Sequence, residues 1–239
     1  MAPKDDQVIR ILIHTDSHLG FRERDPVRGN DSFASFEESL KEGKKRHVDM
    51  VLHAGDMFHE NKPSRRTMHS AQRIFREQCL GEDPVYIACV NKQDEVFKSN
   101  QGVINYEDPY HSVSLPYFAI HGNHDDPSRD GSAGDALAAL DVLAMSNVLN
   151  YYGKSDRADD VEIHPILIEK NGTKLALYGL GAIRDERLNR MWRQKKVKFV
   201  RPRDVDGEER LYQATKKAIL REDPDVRAPV GYSHAYLNS

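Results

Sequence analysis

Cysteine is scarce: Cys79 and Cys89 are the only two in 239 residues, too few to staple a fold with disulfides. A reducing intracellular compartment is expected. The opening Met-Ala-Pro-Lys-Asp-Asp lacks the apolar core of a secretory signal. No stretch approaches the roughly 20 apolar residues needed to cross a bilayer, so a soluble protein with no membrane partner is expected. Charge of one sign is also lacking. The net formal charge is −3, so any polyanionic partner must be held by local basic patches or by bound metal. Internal repeats and low-complexity tracts are absent, which excludes solenoid repeats. What remains, with 38% hydrophobic residues, suffices for one α/β domain with a sizeable core.

Three segments share one layout: Ile11-Leu-Ile-His-Thr-Asp16-Ser-His18, Met50-Val-Leu-His-Ala-Gly-Asp56 and Tyr117-Phe-Ala-Ile-His-Gly-Asn123-His124-Asp125. Each is a short apolar run, of the kind that forms a buried parallel strand, ending in a carboxylate, an imidazole or an amide. Open α/β sheets bind ligands where the carboxyl ends of their strands meet. Hard oxygens and borderline nitrogens gathered there suit Mn²⁺, Mg²⁺ or Zn²⁺ better than a thiol-seeking metal.

Between these segments the pattern alternates strand and helix. The first strand is predicted over about 8–14, and an amphipathic helix over about 32–46 uses Phe33, Phe36 and Leu40. A second helix is predicted over about 65–80, with Pro63 in its first turn and Gly81 stopping it. Residues 89–115 show little periodicity and exceed an ordinary βα connection, as an interaction loop or a disordered tract does. A third helix is predicted over about 133–145. From Val161 the period changes to paired strands joined at Asn171-Gly172, a type I′ hairpin signal. Arg193 to Arg203 carries six basic residues, Lys195, Lys196 and Lys198 among them, and is taken as a solvated face.

The strand-end residues match the needs of phosphodiester hydrolysis. Two divalent ions roughly 3.5–4 Å apart clamp a phosphodiester, and a bridging carboxylate holds such a pair. Asp56 is the candidate bridge. Asp16 and His18 complete one site and Asn123 contributes to the other, while His124 is placed to protonate the leaving group. Asp-x-His or Gly-Asp alone is commonly a turn; the three motifs in order, each at a strand end, carry the argument. His14, His53 and His121 lie inside the strands and are expected to be neutral, hydrogen-bonded core imidazoles. His59, just past Asp56, is either a loop histidine or a substrate-positioning group.

Asp16-Ser-His18, Gly55-Asp56-Met-Phe58-His59-Glu60-Asn61-Lys62-Pro63-Ser64 and Gly122-Asn123-His124-Asp125-Asp126 resemble the signature motifs of the calcineurin-like metallophosphoesterases. The longer wording is similar to the meiotic recombination eleven nuclease family of DNA double-strand-break repair. It comprises Val27-Arg28-Gly29-Asn30-Asp31, Ala136-Leu137-Ala-Ala-Leu140-Asp141, and Tyr178-Gly179-Leu180-Gly181 with Arg184-Asp185-Glu186-Arg187. The resemblance runs from about Ile9 to Arg203. It implies an α/β/β/α sandwich over residues 1–203 and Mn²⁺ held by Asp16, His18, Asp56 and Asn123. It also implies His124 as the proton donor and His59 as a residue that positions DNA ends. The segment Val103-Ile-Asn105-Tyr106-Glu107-Asp108 resembles a latching loop that contacts a nibrin-type subunit, which favours a nuclear protein. Helices near 68–80 and 136–145 resemble those of the family's homodimer, with Ala71, Ile74, Phe75, Leu137, Leu140 and Ala144 as apolar stripes. An SMC-like ABC-type ATPase is the further partner.

The resemblance has a gap. The family's later His-x-Asn and Gly-His-x-His segments, which supply three more imidazole ligands, have no clear counterpart in residues 204–239, where Glu208–Leu220 is a plausible helix. His234 in Gly231-Tyr-Ser-His234 is a poor echo. The second sheet is therefore expected to be incomplete, the capping domain absent and the second metal site short of ligands. Two readings follow: a manganese-dependent nuclease with 3′ to 5′ exonuclease and single-strand endonuclease action, or a truncated, catalytically impaired form that acts as a dimerising, partner-binding module.

Overall fold

The computed structural model describes residues 5–90, 92–127, 136–155 and 160–201. The tail 204–239, with His234, and the start of the third predicted helix lie outside the described residues.

The central sheet is four-stranded and parallel, in the order β1 (Ile11–His14), β2 (Met50–His53), β4 (Tyr117–Ala119), β5 (Asn150–Tyr151). Its strands separate two cores by simple alternation. Val51, Tyr117 and Ala119 face one side, where α1 (Asp31–Lys45), α2 (Arg65–Gln78) and α4 (Ala139–Met145) cover them with Phe33, Phe36, Leu40, Ala71, Ile74, Phe75, Leu140 and Leu143. Met50, Leu52, Phe118 and Ile120 face the other side, against Ile166, Ile168 and Leu177 of a second sheet. Parallel connections of one hand put all three helices on the same face, leaving the other for the second sheet. That sheet is antiparallel, β3 (Ala88–Cys89), β7 (Pro165–Lys170), β8 (Thr173–Tyr178). Its hairpin turns at Asn171 and Gly172, both at positive φ (47° and 89°), as the sequence predicts.

The sandwich is thus present, with differences in detail. The paired strands expected from Val161 divide. β6 (Val161–Ile163) pairs in parallel with β9 (Val197–Phe199) rather than joining the hairpin. α5 (Asp185–Arg193) closes the small core between them through Met191. Among the described residues no strand pairs with the outer edge of β8. The basic stretch is a solvated face in which Lys198 lies near Glu162 (3.4 Å) and Asp160 (3.8 Å). Pro63 falls outside helix α2, because Ser64 is its N-cap, accepting the Thr67 N–H. α4 begins at Ala139, later than predicted, where the Asp141 carboxylate accepts the Ala138 N–H.

Two larger expectations are narrowed. Residues 92–115 are an ordered insertion, with α3 (Gln93–Val96) and two 3₁₀ turns, and Phe97 and Ile104 are fully buried in the inter-sheet core. Its lack of periodicity reflects anchoring by isolated side chains. Asn100 places its amide along the free edge of β5, donating to Leu149 O (2.7 Å) and accepting Tyr151 N–H (3.2 Å). Asn105 and Asn150 pair beside it. A side-chain amide thus stands in for the missing neighbour strand. Likewise Ala71, Ile74, Phe75, Leu140 and Ala144, candidates for a dimer stripe, are all at most 1% exposed and pack on the chain's own sheet. Burial against the sheet takes the apolar face of each helix first. Of that stripe only Leu137 is exposed, and Val142 and Met145 of α4 are exposed as well.

The edge cap makes Asn100→Ala expensive. Losing it strands a buried N–H and a buried C=O, a cost of about 1–3 kcal/mol. A urea midpoint unchanged by the substitution would show that the insertion does not support the sheet.

Candidate metal centre

The site forms where β1, β2 and β4 end. All three strands run in the same direction, so their following loops emerge on one face, and backbone hydrogen bonds join them. Asp16 N–H donates to Gly55 O (3.1 Å), His18 N–H to Asp56 O (3.0 Å) and Leu19 N–H to Met57 O (2.8 Å). This ladder holds Asp16, His18 and Asp56 at positive φ (54°, 42° and 54°), a costly conformation for side-chain-bearing residues. The turns are tight enough to require glycine at two points. Gly55 has φ 109°, and a Cβ on Gly122 would overlap the Asp56 carboxylate.

The third loop is tied in by Asp125. This buried carboxylate accepts N–H donors from Met57 (2.8 Å), Phe58 (3.2 Å) and Gly122 (2.7 Å), spanning two loops. Burial pushes its pKa up to about 6, against the pull of those donors. Asp56 Oδ1 in turn accepts the His124 N–H (2.8 Å). Sequence reasoning gave Asp125 no separate role. The signal was its place one residue beyond His124, where a carboxylate that does not reach the metal face can return into the turn.

Two groups of donors result. Asp16, His18 and Asp56 present ligand atoms that all lie within 4.8 Å of one another, and so do His18, His59 and His124. Two carboxylates and an imidazole converging on one point suit a hard-to-borderline divalent cation, so the residues fit the metal expected of them. Asn123 is exposed on the same loop. His59 is therefore part of the cluster rather than an isolated loop residue. His124 Nδ1 lies 2.9 Å from His59 O, an acceptor only, so Nδ1 carries a proton and Nε2 is the free position.

Beneath the face lie the three strand histidines, neutral and hydrogen-bonded as expected. His53 Nδ1 accepts Gly55 N–H (3.2 Å), leaving its Nε2–H for Ser17 Oγ (2.9 Å). His14 Nε2 meets the Tyr117 hydroxyl (2.8 Å) and His121 Nδ1 the Tyr151 hydroxyl (2.7 Å). Burial holds His14 and His121 down to about 4 and His53 well below its ordinary value.

Comparison with known proteins fits this geometry. Residues 9–236 match the calcineurin-like phosphoesterase family, and the chain belongs to it. Within that class it is similar to double-strand break repair protein mus-23 of Neurospora crassa, 46% identical over 99% of this chain and 33% of that protein. It is also similar to double-strand break repair protein MRE11 of Mus musculus, at 47% over 85% of this chain and 28% of that protein. The Homo sapiens MRE11 match is 45% over 86% and 29% respectively. The chain therefore spans about a third of the length of these relatives.

Two outcomes are expected. Gly122→Ala displaces Asp56 and weakens divalent-metal affinity by about tenfold or more, as disturbed ligand supports do. Gly172→Ala, at positive φ with open space around it, costs only about 1 kcal/mol and leaves metal affinity intact. Equal metal affinity in both variants would refute the close-approach argument. The second outcome concerns pH. Depressed imidazoles are protonated in the unfolded chain before the folded one, so stability present above about pH 6.5 is lost as pH falls towards 4. In EDTA the urea midpoint should fall over that window, and fall less in His121→Gln; identical slopes would rule this out.

Proposed function

We propose that this chain carries the nuclease centre of a DNA double-strand-break repair protein, a manganese-dependent phosphodiesterase with 3′ to 5′ exonuclease and single-strand endonuclease action. The observation that supports it most is the convergence of Asp16, His18 and Asp56 with His124 hydrogen-bonded to the Asp56 carboxylate. Family membership and the double-strand-break repair names of the relatives point the same way.

In this reading Asp16, His18, Asp56 and Asn123 hold Mn²⁺. Bound there, divalent ions acidify water and offset phosphate charge. The chain's own groups do the rest. His124, oriented by its Nδ1–H to His59 O, acts in its doubly protonated imidazolium form and delivers the Nε2 proton to the leaving oxygen. His59, packed edge-on against Phe21 (4.8 Å, 80°), positions the DNA end. Asp125 keeps the Asp56 and His124 loops in register.

The partner assignments follow the same line. Exposed Leu137, Val142 and Met145 offer a surface for a homodimer through the helices near 68–80 and 136–145. The insertion exposes Val103 and Tyr110 for a nibrin-type subunit. The SMC-like ABC-type ATPase subunit and a nuclear location complete the proposal. The second reading, a partner-binding module with impaired catalysis, is favoured by the donor count. Among the described residues, the second ion has Asp56 and Asn123 but no further imidazole group besides the His18, His59 and His124 cluster.

The two readings separate in one assay. With Mn²⁺, the purified chain should release nucleotides from a 3′-labelled duplex, and His124→Asn should reduce the rate by about 10²–10⁴-fold. No release from folded, metal-loaded protein would sink the nuclease reading for this chain and leave the binding module.

A further inference from the structure

His18 stands between two donor sets and shows a different nitrogen to each. Its Nε2 lies 3.8 Å from Asp16 Oδ1 on the carboxylate side. Its Nδ1 lies 3.5 Å from His59 Nδ1 on the imidazole side. A neutral imidazole has one lone pair, so His18 can serve a cation on one side only at a time.

We propose that His18, His59 and His124 form a second, tri-imidazole site for a borderline transition metal ion of the Zn²⁺ class, mutually exclusive with cation binding through His18 Nε2 at the carboxylates. One ring nitrogen of each of the three histidines lies within 4.8 Å of those of the other two. Two nitrogens bound at about 2.0–2.1 Å to one tetrahedral ion sit about 3.3–3.4 Å apart, close to the 3.5 Å separating His18 Nδ1 from His59 Nδ1. An ion between them replaces a weak, long imidazole–imidazole hydrogen bond with two coordinate bonds.

One support needed by such ligands is already in place and a second lies close by. His124 Nδ1–H donates to His59 O (2.9 Å), which fixes the tautomer and leaves Nε2 as its ligand atom. His18 coordinating through Nδ1 turns its Nε2–H towards the Asp16 carboxylate, the carboxylate–histidine–metal arrangement common around zinc. Phe21 holds the His59 ring edge-on at 4.8 Å. Three neutral nitrogens and no carboxylate select Zn²⁺, Co²⁺ or Ni²⁺ over Mg²⁺ or Mn²⁺. That leaves a fourth position for water or an anion. Occupancy also takes His124 Nε2 from proton donation. This last consequence alone rests on the proposed function; the binding site does not.

The test uses the full chain and the metals alone. Zinc-edge X-ray absorption of the one-to-one Zn²⁺ complex should show three imidazoles in the first shell. One imidazole with carboxylate oxygens would overturn the proposal. In titrations, His59→Gln should lower Zn²⁺ affinity at least tenfold, and saturating Zn²⁺ should raise the Mn²⁺ dissociation constant of the unmodified chain at least tenfold. Zn²⁺ affinity unchanged in a folded His59→Gln chain, or Mn²⁺ affinity unchanged by Zn²⁺, would equally overturn it. The absorption measurement needs no variant and no nuclease activity, so it fails or succeeds independently of the catalytic reading.

Discussion

The close approach of Asp56 to Gly122 is the contact on which the rest of the site depends. Two loops from neighbouring parallel strands meet with no room for a side chain at residue 122, and the Asp56 carboxylate occupies the space a Cβ would take. From there Asp56 Oδ1 accepts the His124 N–H, so a proposed ligand and the proposed proton donor share one hydrogen bond. Asp125 maintains the approach from below, holding N–H groups of both loops on a single buried carboxylate. Strain at Asp16, His18 and Asp56 persists because this network over-determines their backbone.

The layer beneath the metal face is built from the same residue type as the face itself, with the opposite properties. His14, His53 and His121 are kept neutral by burial and each has a fixed hydrogen-bond partner. They add polarity and shape without adding positive charge under a site that must attract cations. On the face, His18, His59 and His124 are only partly buried. Burial, not residue identity, separates support from chemistry here.

Much of the fold was legible because its signals are local or periodic. Apolar runs in β1, β2 and β4 alternate their side chains between two cores, the amphipathic stripes of α1 and α2 point at one sheet face, and Asn171-Gly172 turns the hairpin. Elements anchored by single residues were not legible. Phe97, Ile104 and Asn100 insert one at a time from the insertion into gaps made elsewhere in the chain, and β6 finds β9 more than thirty residues away. Neither leaves a period for a sequence window to detect.

For the site, the sequence by itself determined the donors. Asp16, His18, Asp56, Asn123 and His124 each follow an apolar run closely enough that a strand must deliver them to one sheet end. Only the tertiary structure decided how they are used. It joined His59 to the cluster, made Asp125 a strut, assigned the free nitrogen of His124 and turned the two nitrogens of His18 to different neighbours. It also buried most of the helix stripes that sequence alone allows at either a core or an interface. The reason is physical. Residue type sets what a group can bind, whereas burial, tautomer and the lone pair it presents depend on contacts between segments far apart in the chain.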